Sequence, residues 1–234
     1  MESTKRTARI AGVLYLLFIL TCAFAKIGRV LLIVPGDAAA TAERIASSGW
    51  LYRFSFLSDV FSAVLFLVSA WMLYVLLKQT HKNLSLLFLV LMVGGVAVQC
   101  LNMLNQFAAV LLLSGADYLN AIPKAQLDSM ALFFTDMHQN GFMIAQIFYG
   151  AWLLPLGYLV FKSRILPKFL GVLLMIDFGS VMVWFLQSFL LPGYGFLAYP
   201  GLAVSFVAEF SLSLWLMIKG VRDVQLQPVP ATAG

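Results

Sequence analysis

Six unbroken apolar runs leave this chain little choice of fold. They stand at Ile10 to Val34, Leu51 to Leu77, Leu84 to Ser114, Ser129 to Phe161, Ile165 to Leu191 and Leu202 to Ile218. Each is long enough, as a helix, for the ~20 residues that cross a bilayer core. Hydrocarbon offers no hydrogen bonds, so a spanning backbone must satisfy its own N–H and C=O groups as a helix or a closed barrel. A barrel needs ten-residue alternations of apolar and polar side chains, and these runs are continuous. The expectation is an all-α membrane protein of six transmembrane helices, arranged as three helical hairpins. The runs use nearly the whole chain, so residues 1–222 read as one domain and 223–234 as a short disordered cytoplasmic tail. Composition agrees: 62% of the 234 residues are hydrophobic and 11% charged, against about 25% charged in soluble domains.

The net charge of +5 does not point to nucleic acid, because the basic residues cluster at helix ends. Lys5, Arg6, Arg9, Lys78, Lys82, Lys162, Arg164, Lys168, Lys219 and Arg222 fall on one side of the six spans. Lys26, Arg29, Arg44, Arg53 and Lys124 fall on the other. The positive-inside rule then places both termini in the cytoplasm. The first run, with KRTAR before it and AFA ahead of Lys26, resembles a secretory leader. Apolar character resumes at once with VLLIV, so the first run is expected to stay as a helix.

Between the spans, DAAATAERIASSG reads as a short helix capped by Asp37 and stopped by Gly49, lying on the outer surface. Pro123 is placed to open the fourth helix, and Pro155 frees the carbonyl of Ala151 and bends that helix. Cys22 and Cys100 lie inside helices, in no metal-like or redox-like spacing. They read as small buried side chains, with a bridge between them left open. A repeat (Phe, any residue, a small residue, an acid) recurs as FLSD at Asp59, FFTD at Asp136 and FVAE at Glu209 and reads as three hairpins of one kind, with no chemistry attached.

The polar residues carry the functional reading. TDMHQNG, Thr135 to Gly141, stands at the outer edge of the fourth span when depth is counted at 1.5 Å per residue. Ser55, Ser58, Asp59, Ser62 and Ser69 form one stripe on the second helix. Gln99, Asn102 and Gln106 share a face of the third. Asp177, Ser180, Trp184, Gln187 and Ser188 share one on the fifth, and Ser205 and Glu209 on the sixth. Lys26 and Arg29 mark the outer end of the first. Such stripes face a bundle interior, and intramembrane ionisable groups default to functional candidates. The candidate binding or proton-coupling residues are therefore Asp59, Asp136, His138, Gln139, Asp177, Glu209, Asn102, Gln106, Lys26 and Arg29. Lys26 or Arg29 is expected to meet Asp59, and Asp177 to share a proton with Glu209. No zinc-like ligand set, nucleophile elbow, P-loop or dinucleotide fingerprint is present, so no catalytic residue, metal or cofactor is assigned.

RIAGVLYLL from Arg9, IVPGDAAATA from Ile33, GYLVFKSRILPKFLGVLL from Gly157 and AEFSLSLWLMIKG ending at Gly220 together resemble a bacterial membrane-protein family catalogued only as a domain of unknown function. The resemblance implies a six-helix, multi-pass protein of the bacterial inner membrane and brings no activity. It also implies a second histidine one helical face after the first, and the neighbourhood of Trp152 has none. Three functions stay open. The leading one is binding or transport of a small polar or amphiphilic solute in an outward-facing crevice, with proton coupling left open. The others are an intramembrane enzyme acting on a lipid-linked substrate, and a structural or regulatory partner of another membrane protein. The bilayer and an unknown solute or lipid are the expected partners, with a homo-oligomer left open.

Overall fold

The computed structural model describes residues 2–222, with all regular structure there helical. The residues read as a disordered tail, 223–234, lie outside the described residues. The elements are α1 Glu2–Leu32, α2 Ala38–Ser47, α3 Gly49–Leu77, α4 Lys82–Leu112, α5 Lys124–Ala151, α6 Leu153–Lys162, α7 Lys168–Leu190 and α8 Tyr199–Ile218. Six spans are long and apolar enough to cross a bilayer: α1, α3, α4, the α5–α6 pair, α7 and α8. The helices run past the apolar runs, α1 beginning at Glu2 and α5 at Lys124, because hydrogen bonding continues once a helix leaves hydrocarbon.

Local sequence explains the boundaries. The Asp37 carboxylate accepts from the Ala40 N–H at 2.9 Å and caps α2, as an N-cap acid should. Ser48, one residue before the expected stop, is its last cap, and Gly49 already begins α3. Thr41 fastens α2 to the end of α1 through both backbone groups of Val34. His81, which reads from sequence as a solvated loop residue, caps α4 by accepting from the Leu84 N–H at 3.2 Å. The fourth span breaks at Trp152, three residues before Pro155, where the missing proline N–H and its ring crowd the preceding turn.

The spans pack as a closed ring. Each packs against the next in chain order, and α8 returns to α1. Large apolar side chains such as Leu20, Ile27, Leu101 and Val183 point outward and are exposed, as a lipid-facing surface requires. The end of the ring that carries the start of α1 and the close of α8 is filled by a core around Tyr15, Phe66, Phe88, Trp152, Leu156 and Leu212. Glycines permit its closest approaches. A Cβ on Gly12 of α1 would fall 2.7 Å from the Ser213 carbonyl oxygen of α8. The other end holds a smaller core of Leu32, Ile45, Tyr52, Ala109 and Ala131, and the packing between the two cores is incomplete.

Candidate functional site

A cavity of about 290 Å³ lies between the two cores, walled by α1, α3, α5, α7 and α8 and touched by Gln99 of α4. Its depth follows α1. Phe18 and Ile19 lie at its floor, Cys22 and Ala23 halfway, Lys26 and Arg29 at its mouth. Phe66 and Tyr149 continue the floor, and Phe142, Trp184 and Phe206 the sides. Lys26, Gln139, Ala23 and Phe206 are wall residues that are also exposed, so the cavity reaches the surface of the bundle.

Its charged groups are arranged unequally. The Arg29 guanidinium donates to the Asp59 carboxylate across the α1–α3 contact, with the side chains 14% and 5% exposed. Of the two cations expected to meet Asp59, it is Arg29 that does. Lys26 stays exposed at the rim, its Nζ 5.9 Å from the centroid of the Trp184 ring. Glu209, half-buried at the floor, accepts a hydrogen bond from the Tyr15 hydroxyl at 2.9 Å. Asp177 is fully buried behind the wall. One of its oxygens accepts from the Ser205 hydroxyl, and its Oδ2 has no protein partner. Asp177 and Glu209 thus each take their own hydroxyl rather than meeting through a direct hydrogen bond among those described. Ser205 and Glu209 are one helical turn apart on α8, so the two carboxylates remain neighbours.

His138 is buried and lines the cavity. Its Nδ1 lies 3.3 Å from the Asn102 side-chain nitrogen and 3.4 Å from the Asn102 carbonyl oxygen. The Asn102 amide donates to the His138 carbonyl at 2.8 Å. Nε2 of the ring has no protein partner. Asn102 therefore orients His138 from behind and does not face the cavity. Gln106 is also outside it: its carbonyl accepts from the Tyr52 hydroxyl at 3.3 Å, and its side-chain amide is buried without a partner.

The structure departs from the sequence expectation at Asp136 and at Cys100. Asp136 is exposed and does not join the cavity. It lies two residues from His138, a rotation of about 200° at 3.6 residues per turn, so the two point to opposite sides of α5. The three acids of the Phe-x-small-acid repeat accordingly sit in unlike places, Asp59 and Glu209 inside and Asp136 outside. Cys100 is exposed rather than buried, Cys22 lines the cavity, and both are free thiols. Sequence reasoning also passed over Tyr15 and Gln146. Tyr15 precedes Cys22, Lys26 and Arg29 at helical spacing, and Gln146 follows Gln139 by two turns, so a helical count could have found both. Among the described residues no three His, Cys, Asp or Glu side chains converge as metal ligands.

These features define a six-span, all-α integral membrane protein with an internal cavity. The chain matches the family described as Domain of unknown function (DUF4386) over residues 10–220. It belongs to that family. Comparison with curated proteins and with solved structures returns no match.

Proposed function

We propose that this protein binds a small amphiphilic solute in the cavity and carries it across the bacterial inner membrane, with both termini cytoplasmic and Glu209 as the coupling acid. The observation that carries the reading is the cavity itself. It is roughly the size of the smallest ligand pockets, about 300 Å³, and its apolar and aromatic floor is topped by Lys26, Arg29–Asp59, His138 and Gln139. Apolar walls with a few convergent polar groups are the usual make-up of a small-molecule site. Packing reinforces it, since interiors are otherwise filled to crystal-like density.

The test is to extract the protein into lipid nanodiscs and identify small molecules retained with it by native mass spectrometry. Ala23→Trp places an indole at a wall position that is exposed, so it obstructs the cavity without overpacking the core. A retained molecule in the wild type, absent from Ala23→Trp, is the expected result. Identical bound contents in both proteins, each properly assembled, would count against the reading. A second reading, a scaffold for another membrane protein, is favoured by the inter-helix bonds of Asn102 with His138 and Ser58 with Thr21. It predicts that Ala23→Trp is silent and that Asn102→Ala changes assembly.

A further inference from the structure

Building on that reading of the cavity, we infer that its preferred solute is a hydrophobic organic cation, an amine or quaternary ammonium with apolar substituents, held by Glu209 and the aromatic wall. Three observations converge. First, the cavity's charges are already paired except at two points. Arg29 and Asp59 neutralise each other, Lys26 stands exposed at the rim, and Glu209 has a hydroxyl but no cation among the described residues. The enclosed part of the site thus holds an acid without a counter-ion. A carboxylate in low-dielectric surroundings is stabilised by a cation brought to it.

Second, the cavity that holds this acid is lined by aromatic rings. Phe18 and Phe66 stack with centroids 3.8 Å apart, Phe66 and Tyr149 lie 5.4 Å apart, and Phe142 and Trp184 6.3 Å. All of these line the cavity. Ring faces carry negative potential and attract ammonium groups within ~6 Å. The wall already does this within the protein, since the Lys26 ammonium sits 5.9 Å from the Trp184 ring. Third, the wall of the site meets the apolar phase. α1 and α8 close tightly near Gly12, yet farther along Ala23 of α1 and Phe206 of α8 are both exposed and both on the cavity wall. The cavity wall thus borders the bilayer's apolar phase, a setting that suits an apolar cation and not a hydrophilic one.

The experiment uses wild-type protein in nanodiscs of uncharged lipid and two radiolabelled probes of similar size, benzyltrimethylammonium and phenylacetate, with binding read by scintillation proximity. The cation is expected to bind and phenylacetate not. Glu209→Gln is expected to weaken cation binding about tenfold or more. Tyr15→Phe keeps the carboxylate and removes its hydroxyl donor, so it is expected to bind the cation at least as tightly as the wild type. This variant decides the matter if Glu209→Gln does not assemble, a loss of cation binding in Tyr15→Phe counting against the inference. Equal cation binding by wild type and an assembled Glu209→Gln overturns it. Preferential phenylacetate binding, lost in Lys26→Gln, overturns the cation inference and leaves the solute site standing. Binding of neither probe overturns the cation inference, and the solute reading then stands or falls on the Ala23→Trp comparison.

Discussion

Asp59 and Arg29 face each other from α3 and α1 at the mouth of the cavity, and each would be costly there alone. Breaking a buried pair by removing one charge costs about 3–5 kcal/mol, while replacing both by apolar residues is often neutral. Arg29 retains 14% of its side-chain exposure, so the lower end of that range applies. Asp59→Asn is predicted to destabilise by about 3 kcal/mol in denaturant titration in mixed micelles, and the double change Arg29→Met with Asp59→Leu to recover most of it. Wild-type stability in the single variant would show that water, not Asp59, compensates Arg29. Asn102 and Asp136 make a second comparison. Asn102→Ala removes an inter-helix bond and is predicted to cost about 1 kcal/mol, whereas Asp136→Asn, exposed, stays within about 0.5 kcal/mol. A reversed order would return Asp136 to the interior. The contrast also shows what TDMHQNG could and could not tell. Adjacent letters mark a common depth, so the height of the cluster was legible. They do not mark a common side, and only a helical count separates His138 from Asp136.

Helices meet in this protein where glycine lets them. In the α6–α7 contact, a Cβ on Gly157 would lie 2.8 Å from the Gly171 carbonyl oxygen, and one on Gly171 would lie 2.6 Å from the Phe161 backbone nitrogen. Backbone cannot move aside as a side-chain end can. Gly179, on the same helix α7, has open space at its Cβ position. Gly171→Ala is therefore predicted to cost about 1–3 kcal/mol through overpacking, and Gly179→Ala to stabilise by about 0.5–1 kcal/mol through helix propensity. Matched effects in the same unfolding assay would mean that the α6–α7 distance is not set by Gly171. Element-scale features were the most legible part of the sequence. Ser55, Asp59, Ser62 and Ser69 of the α3 stripe and the Gln99, Asn102, Gln106 face of α4 are buried as helical spacing predicts, and Ser58 is half-buried. Asp37 caps α2, and the bend falls beside Pro155. These are local consequences of period and turn chemistry. Tyr15 bonding Glu209 across 194 positions is a consequence of ring closure, and no local pattern announces it.

At the scale of the molecule, the ring of six spans has two unlike ends. The filled end carries the start of α1 and the close of α8, with the Arg222 N–H donating to the Ile165 carbonyl at 2.9 Å. The open end carries the cavity mouth at Lys26 and Gln139. Ten of the 15 basic residues, counted above by name, belong to the spans' ends on the filled side and five to the other. If loop charge sets orientation, the filled end is cytoplasmic and the cavity opens away from the cytoplasm. Two loop positions report this directly, both exposed: Gln79 between α3 and α4 on the filled side, and Asn120 between α4 and α5 on the open side. The native thiols are first removed by Cys22→Ser and Cys100→Ala. A membrane-impermeant maleimide is then predicted to label the Asn120→Cys variant in intact cells, and the Gln79→Cys variant only after permeabilisation. The reverse pattern would turn the mouth toward the cytoplasm and make the site a place of capture from inside. Labelling of both variants in intact cells would mean that the chain inserts in two orientations, which a charge ratio of two to one would then be too weak to prevent.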